Sequence, residues 1–190
     1  MSGSVGILGG AFDPPHNGHL ALAREAVDHF RLERVLVRVV ADPGHKDVET
    51  QAGIRLRLAE LAFAVIGEAE TSLDPFARSV DSLEALGLED PVFLLGADEL
   101  AALPTWVRPE RVLELARIGA ATRPGTDLSV LGRVVASLSR PDRVELFPIT
   151  PLAVSSSEIR DRVAGGLPID GLVPPAVAAE IDRLGLYRAR

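Results

Sequence analysis

The stretch Gly9-Gly10-Ala11-Phe12-Asp13-Pro14-Pro15-His16-Asn17-Gly18-His19 separates two runs of different period. Residues 5–8 (VGIL) form a short apolar run, and residues 20–30 carry apolar side chains at helical spacing. A strand that feeds a glycine-rich turn opening a helix presents backbone N–H groups to a phosphate. The stretch lacks the G-K-[ST] ending of the P-loop, and its glycines do not fit the dinucleotide spacing G-x-G-x-x-G. It holds instead two histidines three residues apart at a helix start. That spacing is close to one turn, which puts His16 and His19 on one face beside the positive end of the helix dipole.

The rest of the chain sets limits on what this turn can serve. At 190 residues it is long enough for one domain with a proper core. No apolar run approaches the ~20 residues of a membrane span. The first strand begins almost at once, which leaves no room for a signal peptide. The absence of cysteine excludes disulfides and thiolate metal sites and points to a cytoplasmic protein. A net charge of −7 argues against sequence-independent nucleic-acid binding, which needs a basic surface, but not against a small anionic substrate. Nineteen of the 20 basic residues are arginine, and Lys46 is the only lysine. Beside His45 it marks either a place that needs a compact ammonium or an arbitrary surface position.

Strands and helices alternate along the chain. Residues 34–40 (RVLVRVV) are β-branched and predict a strand, ending in the turn-forming Asp42-Pro43-Gly44-His45-Lys46. Residues 54–66 predict a helix and residues 67–73 a short strand. Residues 91–96 (PVFLLG) are nearly all apolar, as a central strand covered on both faces requires. A helix around 109–116, a strand at 118–122, a helix at 128–138 and a strand at 144–147 follow. Val154-Ser155-Ser156-Ser157-Glu158-Ile159-Arg160 predicts a helix start, with Ser155 and Glu158 spaced as a capping box. There, free N–H groups, hydroxyls and a guanidinium would converge on one anionic point. Residues 165–171 read as a linker and 176–184 as a last helix. The alternation predicts an α/β fold, a doubly wound parallel sheet in a single domain, with both motifs at one edge.

The opening stretch resembles the signature of the H-x-G-H nucleotidyltransferase superfamily. Its G-G-x-F-D-P-x-H-x-G-H form is most similar to the bacterial nicotinate-nucleotide adenylyltransferases. Further likenesses are Leu95-Gly96-Ala97-Asp98-Glu99-Leu100, Leu103-Pro104-Thr105-Trp106, the Arg123-Pro124-Gly125 turn, the 154–160 motif as I-S-S-T-x-I-R, and the closing Gly185-Leu186-Tyr187. Two departures stand out. Gly44 replaces the second proline of the usual Pro-Pro-His-Lys loop, and Arg78 replaces the tyrosine of a Ser-Tyr-Thr sequence near the pyridine ring. Arg78 is either a solvated helix-start residue or a substrate contact.

The resemblance implies a Rossmann-like nucleotidyltransferase domain over residues 1–190, with a C-terminal helical part from about 155 packed on it. The implied reaction is attack of the nicotinate mononucleotide phosphate on the α-phosphorus of ATP, giving deamido-NAD and pyrophosphate. An acceptor phosphate is already ionised at neutral pH, so no general base is required and positioning and charge stabilisation suffice. His16, His19, Lys46 and Arg160 are the implied catalytic residues. Gly9, Gly10, Phe12, Gly18, Gly96, Asp98, Ser156 and Ser157 would join His16, His19 and Arg160 around ATP. Asp13, Lys46, Ser79, Trp106 and Arg123 are expected on the acceptor side, with Trp106 either stacked on the pyridine ring or a core residue. Mg²⁺ should travel with ATP, held by phosphate and water, with no protein metal site. Two histidines could begin a zinc site, but no third ligand stands at a suitable spacing. Another phosphorylated acceptor such as phosphopantetheine or nicotinamide mononucleotide, a CTP donor, or a non-catalytic nucleotide-binding domain remain as alternatives. Nucleic acid and membrane are not expected partners, and a homo-oligomer is left open.

Overall fold

The computed structural model describes residues 4–44 and 48–189, so the predicted contributions of His45 and Lys46 lie outside the described residues. Among the described residues six strands form one parallel sheet: β1 (Val5–Gly10), β2 (Arg34–Val40), β3 (Ala69–Asp74), β4 (Val92–Gly96), β5 (Arg117–Thr122) and β6 (Val144–Pro148). Their order is β3-β2-β1-β4-β5-β6, with every pairing parallel. The chain therefore winds outward from β1 in one direction and then from β4 in the other. In such a sheet the crevice between the carboxyl ends of the two central strands is where a ligand fits. The residues at that point are Gly9 and Gly10 on β1 and Gly96 on β4.

Eight helices accompany the strands among the described residues: α1 (Asn17–Phe30), α2 (Ala52–Phe63), α3 (Ser79–Leu86), α4 (Ala97–Ala102), α5 (Pro109–Leu115), α6 (Leu128–Ser137), α7 (Ser156–Ala164) and α8 (Pro175–Leu184). Side chains on a strand alternate between faces, and the core divides accordingly. Leu8, Val92, Leu94, Ala121 and Phe147 join Ala23 and Ala26 of α1, Leu58 and Phe63 of α2, Ile159 of α7 and Ile181 of α8 in one cluster. Ile7, Phe93, Leu95, Ile118 and Ala120 join Leu83 of α3, Leu100 of α4, Val112 of α5 and Leu131 of α6 in the other. Each such aliphatic side chain removed from water contributes about 1.5–3 kcal/mol. Burial on both faces explains the bare apolar runs of β1 and β4. β2 differs: Val35, Val37 and Val39 are fully buried, whereas Arg38 on the other face reaches Ser72 and Asp74 of β3.

The predicted helix at 54–66 begins and ends earlier than its periodicity suggests, and α4 has no counterpart among the predicted elements. It starts with no intervening loop after β4, and the N–H of Gly96 donates to Glu99 Oε2 at 2.9 Å, closing its first turn. No helix among the described residues is long and apolar enough to cross a membrane.

Candidate active site

At the carboxyl ends of β1 and β4 opens a cleft of about 1010 Å³. Its floor is the predicted turn. Phe12 takes a left-handed backbone, φ 50°, and folds its ring back under Gly10. A side chain at Gly10 would meet that ring at 3.0–3.3 Å. Phe12 is 2% exposed and meets His19 and Phe63 edge-on, at centroid distances of 5.0 and 5.6 Å. The Asp13–Pro14 peptide is cis.

His16 and His19 are stacked, with ring centroids 3.7 Å apart and planes 23° from parallel. This is the shared face that the three-residue spacing predicts. The backbone N–H of His16 donates to His19 Nδ1 at 3.2 Å. With Nδ1 committed as acceptor, the neutral His19 ring carries its proton on Nε2 and is a donor there. His16 is 8% exposed, and its Nδ1 has no hydrogen-bond partner among the described residues. Burial, and secondarily the charge of Arg123, pull its pKa down to about 4. The ring is therefore neutral at pH 7, with one nitrogen able to donate. Gly18 sets the stack: a Cβ there would lie 3.0 Å from His16 Nδ1 and 3.3 Å from Val154.

The late motif closes the cleft from the other side. Ser155 Oγ accepts from the Glu158 N–H at 3.2 Å, the serine half of the predicted capping box. The hydroxyl of Ser156 donates to the Pro14 carbonyl at 2.8 Å. Arg160 donates from Nη1 to the Asp13 carbonyl at 2.8 Å and pairs through Nε with Glu49 at 3.1 Å. Residues 142 and 147 positions apart are thus joined around one turn. Ser157 and Arg123 also line the cleft, as do Asp98 and Gly96 on the β4 side.

Three acceptor-side expectations have a different setting. Asp13 is 3% exposed, and both its carboxylate oxygens are committed inside the protein, one to the Tyr187 hydroxyl at 2.6 Å and one to the Glu49 N–H at 2.7 Å. The carboxylate thus has internal donors, while the residue also lines the cleft. Ser79 opens α3 and Trp106 lies beyond α4, and neither is among the residues lining the cleft. Trp106 is half-buried and meets Phe93 edge-on at 6.2 Å. Arg78 is exposed just before α3.

Two further supports are Arg55, which the sequence does not single out, and the cap that follows the Arg123-Pro124-Gly125 turn. Arg55 of α2, 1% exposed, donates to the carbonyls of Thr50 at 2.9 Å, Ala11 at 2.7 Å, Val40 at 2.9 Å and Ala41 at 2.8 Å. It ties the signature turn to both sides of the segment that contains Lys46. Beyond the predicted Arg123-Pro124-Gly125 turn, Asp127 caps α6 by accepting from the Ser129 and Val130 N–H groups. A capping aspartate before an apolar run is a readable signal. Among the described residues no group of three or more His, Cys, Asp or Glu side chains is placed to hold a metal ion.

Comparison with known proteins agrees with this geometry. The family model described as "Cytidylyltransferase-like" matches residues 7–162. A relative from Thermomicrobium roseum named "Probable nicotinate-nucleotide adenylyltransferase" is 39% identical over 198 residues, covering 97% of this chain and 91% of its own. A relative of the same name from Roseiflexus castenholzii is 41% identical over 203 residues, covering 98% and 99%. Among solved structures, the Plasmodium falciparum nicotinic acid mononucleotide adenylyltransferase complexed with NaAD superposes with a TM-score of 0.78 at 18% identity, covering 97% of each chain. At that identity the likeness establishes the fold.

Proposed function

The chain belongs to the nicotinate-nucleotide adenylyltransferases of the cytidylyltransferase-like family, and from that premise we propose that the cleft transfers the adenylyl group of ATP to nicotinate mononucleotide. An oxygen of the acceptor phosphate attacks the α-phosphorus of ATP. The new O–P bond forms as the bond to the β-phosphate oxygen breaks, and the electron pair leaves with pyrophosphate. The products are deamido-NAD and pyrophosphate. The attacking phosphate is ionised at neutral pH, so the protein needs donors and cations rather than a base.

The observation that carries this reading is the stacked histidine pair at the start of α1, with the turn just before it held through the Pro14 and Asp13 carbonyls by Ser156 and Arg160. The neutral ring of His16 and Nε2–H of His19 supply hydrogen-bond donors to ATP phosphates as charge moves toward pyrophosphate. Backbone N–H groups at the starts of α1 and α7 add fixed partial charge. Arg160 retains guanidinium donors beyond the two used for Asp13 and Glu49, and Arg123 brings a second cation to the same cleft. Lys46 is assigned the β- and γ-phosphates on the strength of the motif. Gly96 and Asp98 flank the opposite wall, where a ribose fits, and Ser79 and Trp106 are proposed for the acceptor. Mg²⁺ brought in with the nucleotide would neutralise part of its phosphate charge.

Pyrophosphate release measured with ATP and Mg²⁺ tests the reading, with nicotinate mononucleotide, nicotinamide mononucleotide or phosphopantetheine as acceptor and CTP as a control donor. Release should be fastest with ATP and nicotinate mononucleotide. Release with phosphopantetheine alone, or with CTP in preference to ATP, would overturn it. His19→Ala should lower turnover by ~10²–10³ while ATP binding is largely kept. Unchanged turnover would remove His19 from the mechanism.

A further inference from the structure

The segment after α8 returns to the histidine turn. Tyr187 is 8% exposed and adopts a left-handed backbone, φ 58°, which a bulky residue takes only where its surroundings hold it there. Its hydroxyl donates to Asp13 Oδ1 at 2.6 Å, while Asp13 Oδ2 accepts the Glu49 N–H at 2.7 Å. Burial and the Asp13 hydrogen bond push the ionisation of Tyr187 far upward, so it stays a donor. Asp13 stands three residues before His16, and its own carbonyl accepts from Arg160. Tyr187 and the Glu49 N–H donate to this carboxylate directly, Arg160 and Arg55 hold the Asp13 and Ala11 backbone carbonyls beside it, and Thr50 is hydrogen-bonded to Tyr187.

We propose that Tyr187 is a positioning residue for the transfer reaction: acting through Asp13, its hydroxyl fixes the turn that aims His16 and His19 at the nucleotide. It reaches no substrate itself. Ring packing could be served by phenylalanine, but only the hydroxyl can orient the carboxylate, and a small misplacement of donors is costly to a reaction that runs on positioning. The proposal rests on the adenylyl-transfer reading above.

Tyr187→Phe removes one oxygen and keeps the ring. It should lower kcat roughly ten- to a hundredfold with the KM for ATP within about twofold. Thermal melting reports the folded fraction. In the ligand-free protein, the ring signals of His16 and His19 in ¹⁵N-histidine NMR spectra should shift while those of His29 stay. Because Tyr187 acts through Asp13, adding Asp13→Asn should lower kcat by less than the product of the two single losses. The proposal is overturned if kcat is retained, if the two losses multiply, or if the His16 and His19 signals do not move. A wild-type protein that releases no pyrophosphate would sink the reaction reading alone, and the histidine signals would still decide the coupling.

Discussion

Replacing Arg55 by methionine isolates the cost of an internal fastening, because methionine fills similar space without donors. The side chain is 1% exposed and serves four carbonyl oxygens, of Ala11, Val40, Ala41 and Thr50. A buried acceptor deprived of its donor costs about 1–3 kcal/mol. Four would sum to ~4–12 kcal/mol, but these carbonyls lie in turns that can relax and admit water, and the guanidinium's own desolvation is relieved. About 3–5 kcal/mol is therefore expected, a large share of a native stability of ~5–15 kcal/mol. Arg55→Lys should lose about half as much, since an ammonium has three donors and no fork to span carbonyls on separate segments. Urea unfolding followed by Trp106 fluorescence gives the midpoint and slope for each variant. A loss below about 1 kcal/mol for Arg55→Met would refute the reasoning, because it would mean the four carbonyls find other partners without cost.

Other changes probe the histidine stack. Gly18→Ala should keep the fold but place a methyl 3.0 Å from His16 Nδ1, and so lower kcat for pyrophosphate release by about a hundredfold. Full activity would mean that the stack can shift freely. His16 titrates near pH 4 in the folded protein, against 6.5 for an ordinary histidine. Between those values the unfolded chain takes up the proton first, so this group lowers stability as pH falls, by up to about 3 kcal/mol. Urea midpoints at pH 7 and pH 4.5 should therefore drop further for the wild type than for His16→Gln, and equal drops would contradict the assignment.

The parts of the fold that are legible in the sequence are those where one interaction dominates. β4 is apolar at successive positions because helices cover both its faces, and its run can be read directly. The edge strand β3, AETSLD, packs few of its side chains fully and gives a weaker signal. α4 escapes because it is six residues long and follows β4 without turn chemistry. The site divides in the same way. The histidine spacing and the Ser155 cap are local geometry and are readable. Arg55 is not: beside exposed Arg57 in a helix it looks like any solvated arginine, and only the convergence of three segments on its guanidinium buries it. The hydrogen bond that Tyr187 gives to the Asp13 carboxylate is not legible either, because it spans 174 residues.

That separation also bears on the order in which the molecule is made. The hydrogen bond between Tyr187 and Asp13 closes a loop of 174 residues, and closing a flexible chain of that size costs on the order of 5 kcal/mol in entropy before any contact repays it. The sheet and its helices can offset that cost piecewise, so the contact forms after them and the histidine turn is completed late. A nucleotide that recognises the completed turn then binds the finished fold and not the partly folded chains that precede it. Substrate supply thus becomes a selective stabiliser of finished molecules, worth about 2.7 kcal/mol when free ligand is about a hundred times its Kd.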